Sequence, residues 1–369
     1  MPLSTAPSIG VSALLPLNTA PTLTYKEHAR RFLHLSSYQL GLSSLYAKAQ
    51  RESIATILMY HSVPTPDESR WIDPYNSLPA EAFDRQMRFL SRHRHVISID
   101  ELIQKLSRQE KLERGTVVIT FDDGYRDNLT VAAPILAKYN LPATIYLATG
   151  YIESGQNQWA DTLYAAFRAR SRSNLALAQW HSTFENWNLS HKNQLEAAHS
   201  ALVMYLIQAD VTQREALLTE IDAQLAPIAY PPRLTMNWAE AEALNAQYPN
   251  ITLGVHTSNH LDLSTHSDKT KEEMTTSIEQ MVGALGIKPQ HLAFPYNRYC
   301  KQAQTDVKAA KLASAVIAAS DPVVRSDTCP YALPRLEAPK SMIMLKSWTN
   351  GGFPDMAARW FRKPWISPY

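Results

Sequence analysis

Thr116-Val117-Val118-Ile119-Thr120-Phe121-Asp122-Asp123-Gly124-Tyr125-Arg126-Asp127-Asn128 joins a β-branched and aromatic run to two adjacent acids and a glycine. Val117 to Phe121 reads as a buried strand of the kind found in parallel sheets. Neighbouring carboxylates repel, and burying them costs free energy unless a cation or hydrogen bonds compensate. Gly124 admits backbone angles closed to other residues, so the chain can turn sharply after the acids. The simplest chemical use is a division of labour, with one carboxylate on a metal and its neighbour free to act as a base. The plainer alternative is a strand end followed by an ordinary Asp-Gly turn.

Around this stretch, strand and helix patterns alternate. Thr56–Tyr60 reads as a strand ending in His61, Ala80–Arg92 as a helix, His95–Ile99 as a short strand and Glu101–Arg108 as a helix. Beyond the acids, Leu129–Tyr139 reads as a helix that Pro134 bends, and Ala143–Ala148 as a strand. The rhythm returns after Trp238 with strands at Ile251–Val255, Leu292–Tyr296, Ala315–Ala319 and Leu333–Ala338, and helices at Glu272–Leu285 and Ala303–Leu312. Such alternation implies parallel strands with helical crossovers, and about seven or eight units suit a (β/α) barrel, regular or irregular.

Five segments follow. Residues 1–54 are a Pro/Ser/Thr-rich leader and an N-terminal helix (Tyr25–Arg51), and 55–150 are the first part of the barrel. Residues 151–236 are a mostly helical insertion with helices at Trp159–Arg168, Gln194–Ile207 and Gln213–Leu225, either a lid or a structural excursion. Residues 237–345 complete the barrel, and 346–369 are a tail that mixes basic and aromatic residues at Arg359–Trp365. Both ends either dock on the barrel or make peripheral contact with an anionic membrane surface.

The chain has 369 residues, 45% hydrophobic and 19% charged, which is a globular composition. A net charge of +2 is too near neutral to argue for nucleic acid. Cys300 and Cys329 lack the spacing of a thiolate zinc site and read as reduced thiols. The N-terminus lacks a basic n-region, and no apolar run reaches the roughly 18 residues of a spanning helix, so the expected location is cytoplasmic.

Gly254-Val255-His256-Thr257-Ser258-Asn259-His260 also follows a strand. Its histidines, four apart, can point the same way if the loop enters a helical turn, and neutral imidazoles ligate zinc and its neighbours. Chance spacing is the competing explanation. With Asp123 they make a two-histidine, one-carboxylate set that leaves positions for water and substrate. Zinc is the first expectation, while cobalt, nickel, manganese and iron accept similar ligands. In Leu292-Ala293-Phe294-Pro295-Tyr296-Asn297, Pro295 presets the backbone and the Tyr296 N–H would face a developing oxyanion, unless this is merely a strand end and a turn.

These stretches together resemble the polysaccharide deacetylases with a NodB-homology domain, carbohydrate esterase family 4. The resemblance rests on Thr120 to Gly124, His256 to His260 and Pro295-Tyr296, in that order, with support from Ile57 to Ser62 and Leu141 to Thr144. It covers about residues 55–150 and 237–340. It implies a distorted (β/α)7 barrel and metal-dependent removal of N-acetyl groups from amino sugars. Asp122 would be the general base, Asp123, His256 and His260 the metal ligands, and the Tyr296 N–H an oxyanion donor.

The sequence departs from the family where many members supply an acidic histidine from Leu-x-Leu-His near the last strand. Here that region reads Leu333-Pro334-Arg335-Leu336-Glu337. Arginine does not release its proton near neutral pH. Arg335 would instead pair with and orient Asp122, leaving His61 or Asp122 itself to return the proton. Asn297 stands where the family often has glycine. The expected substrate is an N-acetylated glycan or its lipid-linked precursor, in exopolysaccharide or capsule assembly. Deformylation, O-deacetylation and a non-catalytic glycan-binding relic are the alternatives.

Overall fold

The computed structural model describes residues 54–318 and 323–350, together with Ser36 and Gly41. The expected N-terminal helix and the Arg359–Trp365 tail lie outside the described residues, apart from those two positions. The chain enters with β1 (Ala55–Tyr60), then α1 (Ala80–His93), the short β2 (His95–Val96), α2 (Ile99–Ser107) and β3 (Thr116–Phe121). A widened helical turn at Asn128–Ala132 leads into α3 (Ala133–Lys138), followed by β4 (Ala143–Leu147). Next come α4 (Thr149–Ser154), α5 (Trp159–Ala169), the antiparallel pair β5 (Asn174–Ala176) and β6 (Asn186–Asn188), α6 (Lys192–Gln208) and α7 (Val211–Leu225). After α8 (Trp238–Gln247) the sheet resumes with β7 (Ile251–Val255), α9 (Thr270–Leu285), β8 (His291–Ala293), α10 (Lys301–Ala309), β9 (Ser314–Ala318) and β10 (Leu333–Glu337), and α11 (Met342–Trp348) follows.

Strands β1, β3, β4, β7, β8, β9 and β10 pair in that order, all parallel, and β10 closes the ring on β1 through Ile57↔Arg335. This is the distorted (β/α)7 barrel. Its distortion is local: β2 pairs with Thr116 and Val117 at the start of β3, while β4 pairs only with Thr120 and Phe121 at its end. Side chains of one parity, including Ile57, Val118, Tyr146, Val316 and Leu333, form one buried cluster. Those of the other parity, including Leu58, Ile119, Phe121 and Ile145, pack with Phe83, Met87 and Leu90 of α1. The latter three recur at helical spacing, so α1 presents one apolar face to the sheet. Thr120, Asp122 and Arg335 continue the parity of Val118 and Leu333, which carries polar side chains into the barrel.

The segment between β4 and β7 has a hydrophobic core of its own, built from residues such as Leu163, Phe167, Leu202, Leu206, Leu217 and Ile221. The sequence reading lacks the β5–β6 hairpin, α4, α8 and α11: the hairpin strands, α4 and α11 are too short to set a period, and the apolar residues of α8 are mostly alanines spread around the helix. Other boundaries differ for local reasons. The short strand expected at His95–Ile99 pairs only at His95 and Val96, since the Ser98 hydroxyl accepts from the Glu101 N–H at 3.0 Å and starts α2. The strand expected at Leu292–Tyr296 stops at Ala293, and Pro295–Asn297 form a tight turn. Among the described residues, no helix is long and apolar enough to cross a membrane.

Candidate metal centre

The end of β3 is built to turn two carboxylates in different directions. The Asp122 N–H still donates to Tyr60 O at 3.0 Å, one residue beyond the strand. Asp123 (φ 74°) and Gly124 (φ 76°) then adopt left-handed backbone and reverse the chain. For aspartate that conformation is uncommon and costs of order 1 kcal/mol, so the surrounding packing must hold it. Asp122 is left pointing inward and Asp123 stands at the rim.

The second loop leaves β7. Thr257 (φ 60°) and His260 (φ 52°) are also left-handed, so the histidines converge through a tight loop and not through the helical turn expected from their spacing. The loop is tied down on several sides. Thr149 N–H donates to Thr257 O at 3.1 Å, and Gly150 N–H to Ser258 O at 2.9 Å. A Cβ at Gly150 would lie 2.8 Å from Ser258 O, which explains a glycine there. The buried Glu273 carboxylate accepts from the N–H groups of Ser258 at 3.1 Å and Asn259 at 2.7 Å.

These two loops bring three ligand atoms together. His260 Nε2 lies 3.1 Å from His256 Nε2 and 3.2 Å from Asp123 Oδ1, and His256 Nε2 lies 3.6 Å from that oxygen. Atoms each about 2.1 Å from one ion at tetrahedral or octahedral angles stand roughly 3.0–3.4 Å apart. Asp123 Oδ1 is buried without a hydrogen-bond donor, as a ligand atom awaiting a cation would be. His256 Nδ1 faces Ala293 O of β8 at 2.8 Å, which directs Nε2 at the other two atoms. Burial, joined by His260, pushes the His256 imidazole down to about 4 against the opposing pull of Asp122, so the neutral, ligating ring prevails near pH 7. Burial raises the Asp123 carboxyl, but its contacts with His260 and the charge of His61 outweigh burial and hold it well below the usual range. The residues present therefore fit a divalent cation.

Asp122 sits beside this set, its Oδ2 3.8 Å from His256 Nε2. Arg335 grips it from β10: Nη1 donates to Oδ1 and Nη2 to Oδ2, each at 2.7 Å, and Nη1 also reaches Thr120 Oγ1 at 3.1 Å. Burial favours the neutral acid, but Arg335 and then His256 outweigh it, so the Asp122 pKa falls below its ordinary value. His61, half-buried after β1, is near enough to both carboxylates for its charge to lower them. Tyr296 (φ 52°) is left-handed in the turn after β8, and its ring stands edge-on to His260, with centroids 4.6 Å apart. Its hydroxyl donates to His260 O at 3.2 Å and accepts from Trp159 Nε1 at 2.7 Å. Six of the seven residues named from the sequence thus follow strand ends of the barrel, where such folds carry their sites, and the seventh, Arg335 within β10, reaches Asp122 among them.

Sequence reasoning missed the groups that hold the loops, chiefly Glu273 on α9, Gln158 before α5 and Arg214 on α7. Gln158 Nε2 reaches Asp123 O at 3.4 Å, and Arg214 Nη1 reaches His260 O at 3.0 Å. Nothing in their local patterns distinguishes them from solvated helix residues.

Comparison with known proteins gives a consistent picture. The family model described as polysaccharide deacetylase matches residues 109–315. YxkH of Bacillus subtilis (strain 168), itself classed only provisionally as a polysaccharide deacetylase, is 32% identical over 106 residues, 28% of this chain. That match spans 36% of YxkH, about a third of its length. The Streptococcus pyogenes deacetylase PplD, solved in complex with acetate, aligns with 80% of this chain and 99% of its own at 19% identity and a TM-score of 0.53. IcaB from Ammonifex degensii aligns with 82% of this chain and 98% of its own at 14% identity and a TM-score of 0.52. At these identities the two structures speak for the fold.

Proposed function

The chain belongs to the polysaccharide deacetylase family, and from that premise we propose that it is a metal-dependent hydrolase removing N-acetyl groups from the amino sugars of a polysaccharide or lipid-linked glycan precursor. The observation that carries this reading is the convergence of Asp123, His256 and His260 within ligating distance of one another, beside a second carboxylate tied to Arg335. Asp123 Oδ1, His256 Nε2 and His260 Nε2 would hold the ion, for which zinc is the first choice. When bound, a divalent cation polarises the amide carbonyl and acidifies water.

The rest falls to side chains of this protein. Asp122, kept ionised by Arg335, takes a proton from the attacking water. Arg335 holds both carboxylate oxygens, so the base has one orientation and its proton is weakly held. The Tyr296 N–H donates to the oxyanion as the carbonyl carbon becomes tetrahedral. As the C–N bond breaks, the proton passes from Asp122 to the departing nitrogen, with His61 a second candidate donor. Acetate and a free amino sugar result.

The test is release of acetate and free amine from N-acetylglucosamine oligomers by protein reloaded with zinc, with release of formate from the N-formyl oligomers measured in parallel. Equal amounts of acetate and amine, abolished by a chelator and reduced about 10²- to 10⁴-fold by Asp122→Asn, support the reading. Formate from the N-formyl oligomers without acetate from the N-acetyl ones replaces the acyl group, and no product from either with zinc, cobalt, nickel, manganese or iron rejects the activity.

A further inference from the structure

Arg214 lies on α7, in the segment between β4 and β7, yet its guanidinium ends at the metal loop. It is 3% exposed. Nε and Nη2 donate to the carbonyls of Leu206 (2.8 Å) and Ile207 (3.3 Å) at the end of α6. Nη1 donates to the carbonyls of Asn259 (3.1 Å) and His260 (3.0 Å), and Nη2 also reaches the Tyr296 hydroxyl at 3.2 Å. Trp159 of α5 covers the group, its ring centroid 5.5 Å from the guanidinium carbon, and bonds the same hydroxyl. One side chain therefore joins α6, α7, the histidine loop and the turn after β8.

We propose that Arg214 is a positioning residue for the metal centre, so that the helical segment is part of the metal site and neither a detachable lid nor a mere excursion. This rests on the reading of Asp123, His256 and His260 as metal ligands. His260 is held in a left-handed conformation that histidine does not favour, and such strain persists only where the surroundings over-determine it. Glu273 holds the loop by the N–H groups of Ser258 and Asn259 and Arg214 by the carbonyls of Asn259 and His260, so opposite charges grip four successive peptide groups of one loop, each at its complementary end. Hydrogen bonds from a charged donor are stronger than neutral ones, and the planar fork reaches two adjacent carbonyls at once. Removing it frees the peptide that carries His260, and the cost falls on the geometry of the ligand set.

The experiment is zinc affinity of the full chain, by chelator competition, for the parent and Arg214→Met, with the melting temperature of each metal-free protein. The expected result is a folded variant whose zinc Kd rises at least about tenfold. A merely structural arginine would lower the metal-free melting temperature and leave Kd unchanged, so a folded variant within about threefold of the parent overturns the proposal. If Arg214→Met does not fold, Arg214→Lys and Tyr296→Phe decide: loss of affinity in both supports it, and parental affinity in both overturns it. A parent that binds no zinc, cobalt or nickel overturns the ligand reading and this proposal together, whereas parental binding unaffected by the variants overturns this proposal alone.

Discussion

Arg335 and Asp122 meet inside the barrel through two parallel hydrogen bonds of 2.7 Å, one from each terminal nitrogen to each carboxylate oxygen. Their strands, β10 and β3, are not neighbours: β1 lies between them, and Ile57 pairs with Arg335 on one side and Val118 on the other. The pair is 1% and 3% exposed. A buried ion pair gains little net stability over an apolar pair, but removing one partner strands the other charge. On the proposed mechanism its value is chemical, because it keeps the Asp122 carboxylate ionised and held in one orientation in a buried site.

Arg335→Met removes the charge that outweighs burial at Asp122, so the carboxyl pKa rises. The base is then protonated at higher pH, and the acid limb of the pH–rate profile moves upward. Deacetylation near neutral pH falls about 10²- to 10⁴-fold, and stability drops by roughly 3–5 kcal/mol. The check is a pH profile of kcat/KM with a urea titration. An unmoved acid limb would deny Arg335 its role.

Asp127 offers a pH test of the fold away from the ligands. It is buried, accepting from Ser62 Oγ, from the Val63 N–H at 3.0 Å and from Asn128 Nδ2 at 3.0 Å. Burial outweighs these donors and pushes its carboxyl up to about 7. The folded state thus holds this proton more tightly than the unfolded chain, whose carboxyl titrates near about 4. Its contribution is fully present below about pH 4 and is lost as pH rises through about 7. Subtracting the Asp127→Asn melting curve from the parent's should leave a difference that shrinks across that window. A difference independent of pH would contradict the assignment.

How much of this was legible in sequence follows from what each signal encodes. Val117–Phe121 and Ile251–Val255 are short runs rich in β-branched and apolar residues, and their ends named Asp122, Asp123 and His256. Alternation along a strand sets the direction of the next side chain, so Asp122 and His256 could be read. The route by which His260 turns back could not. It depends on left-handed Thr257 and His260, and no non-glycine residue announces a positive φ. Arg335 was legible because it sits on a core strand where a long cation has to find a partner. Arg214 and Glu273 were not, because their partners are backbone groups far away in sequence.

Gly150 tests how closely α4 approaches the histidine loop. Gly150→Ala places a Cβ 2.8 Å from Ser258 O, a backbone atom that cannot swing aside. The loop or the helix must shift, at about 1–3 kcal/mol. Zinc affinity falls with stability, because Ser258 lies between the two histidines. Thermal denaturation and chelator competition measure both. An alanine variant matching the parent in both would show that the approach is looser than described.

The most direct test of the central claim is metal content per chain, by mass spectrometry, in the parent, Asp123→Ala, His256→Ala and Asp122→Asn after identical reloading with zinc. The account predicts about one ion per chain in the parent and in Asp122→Asn, and loss in the two ligand variants. Equal metal in all four, or none in any, would contradict a single centre built from the ends of β3 and β7.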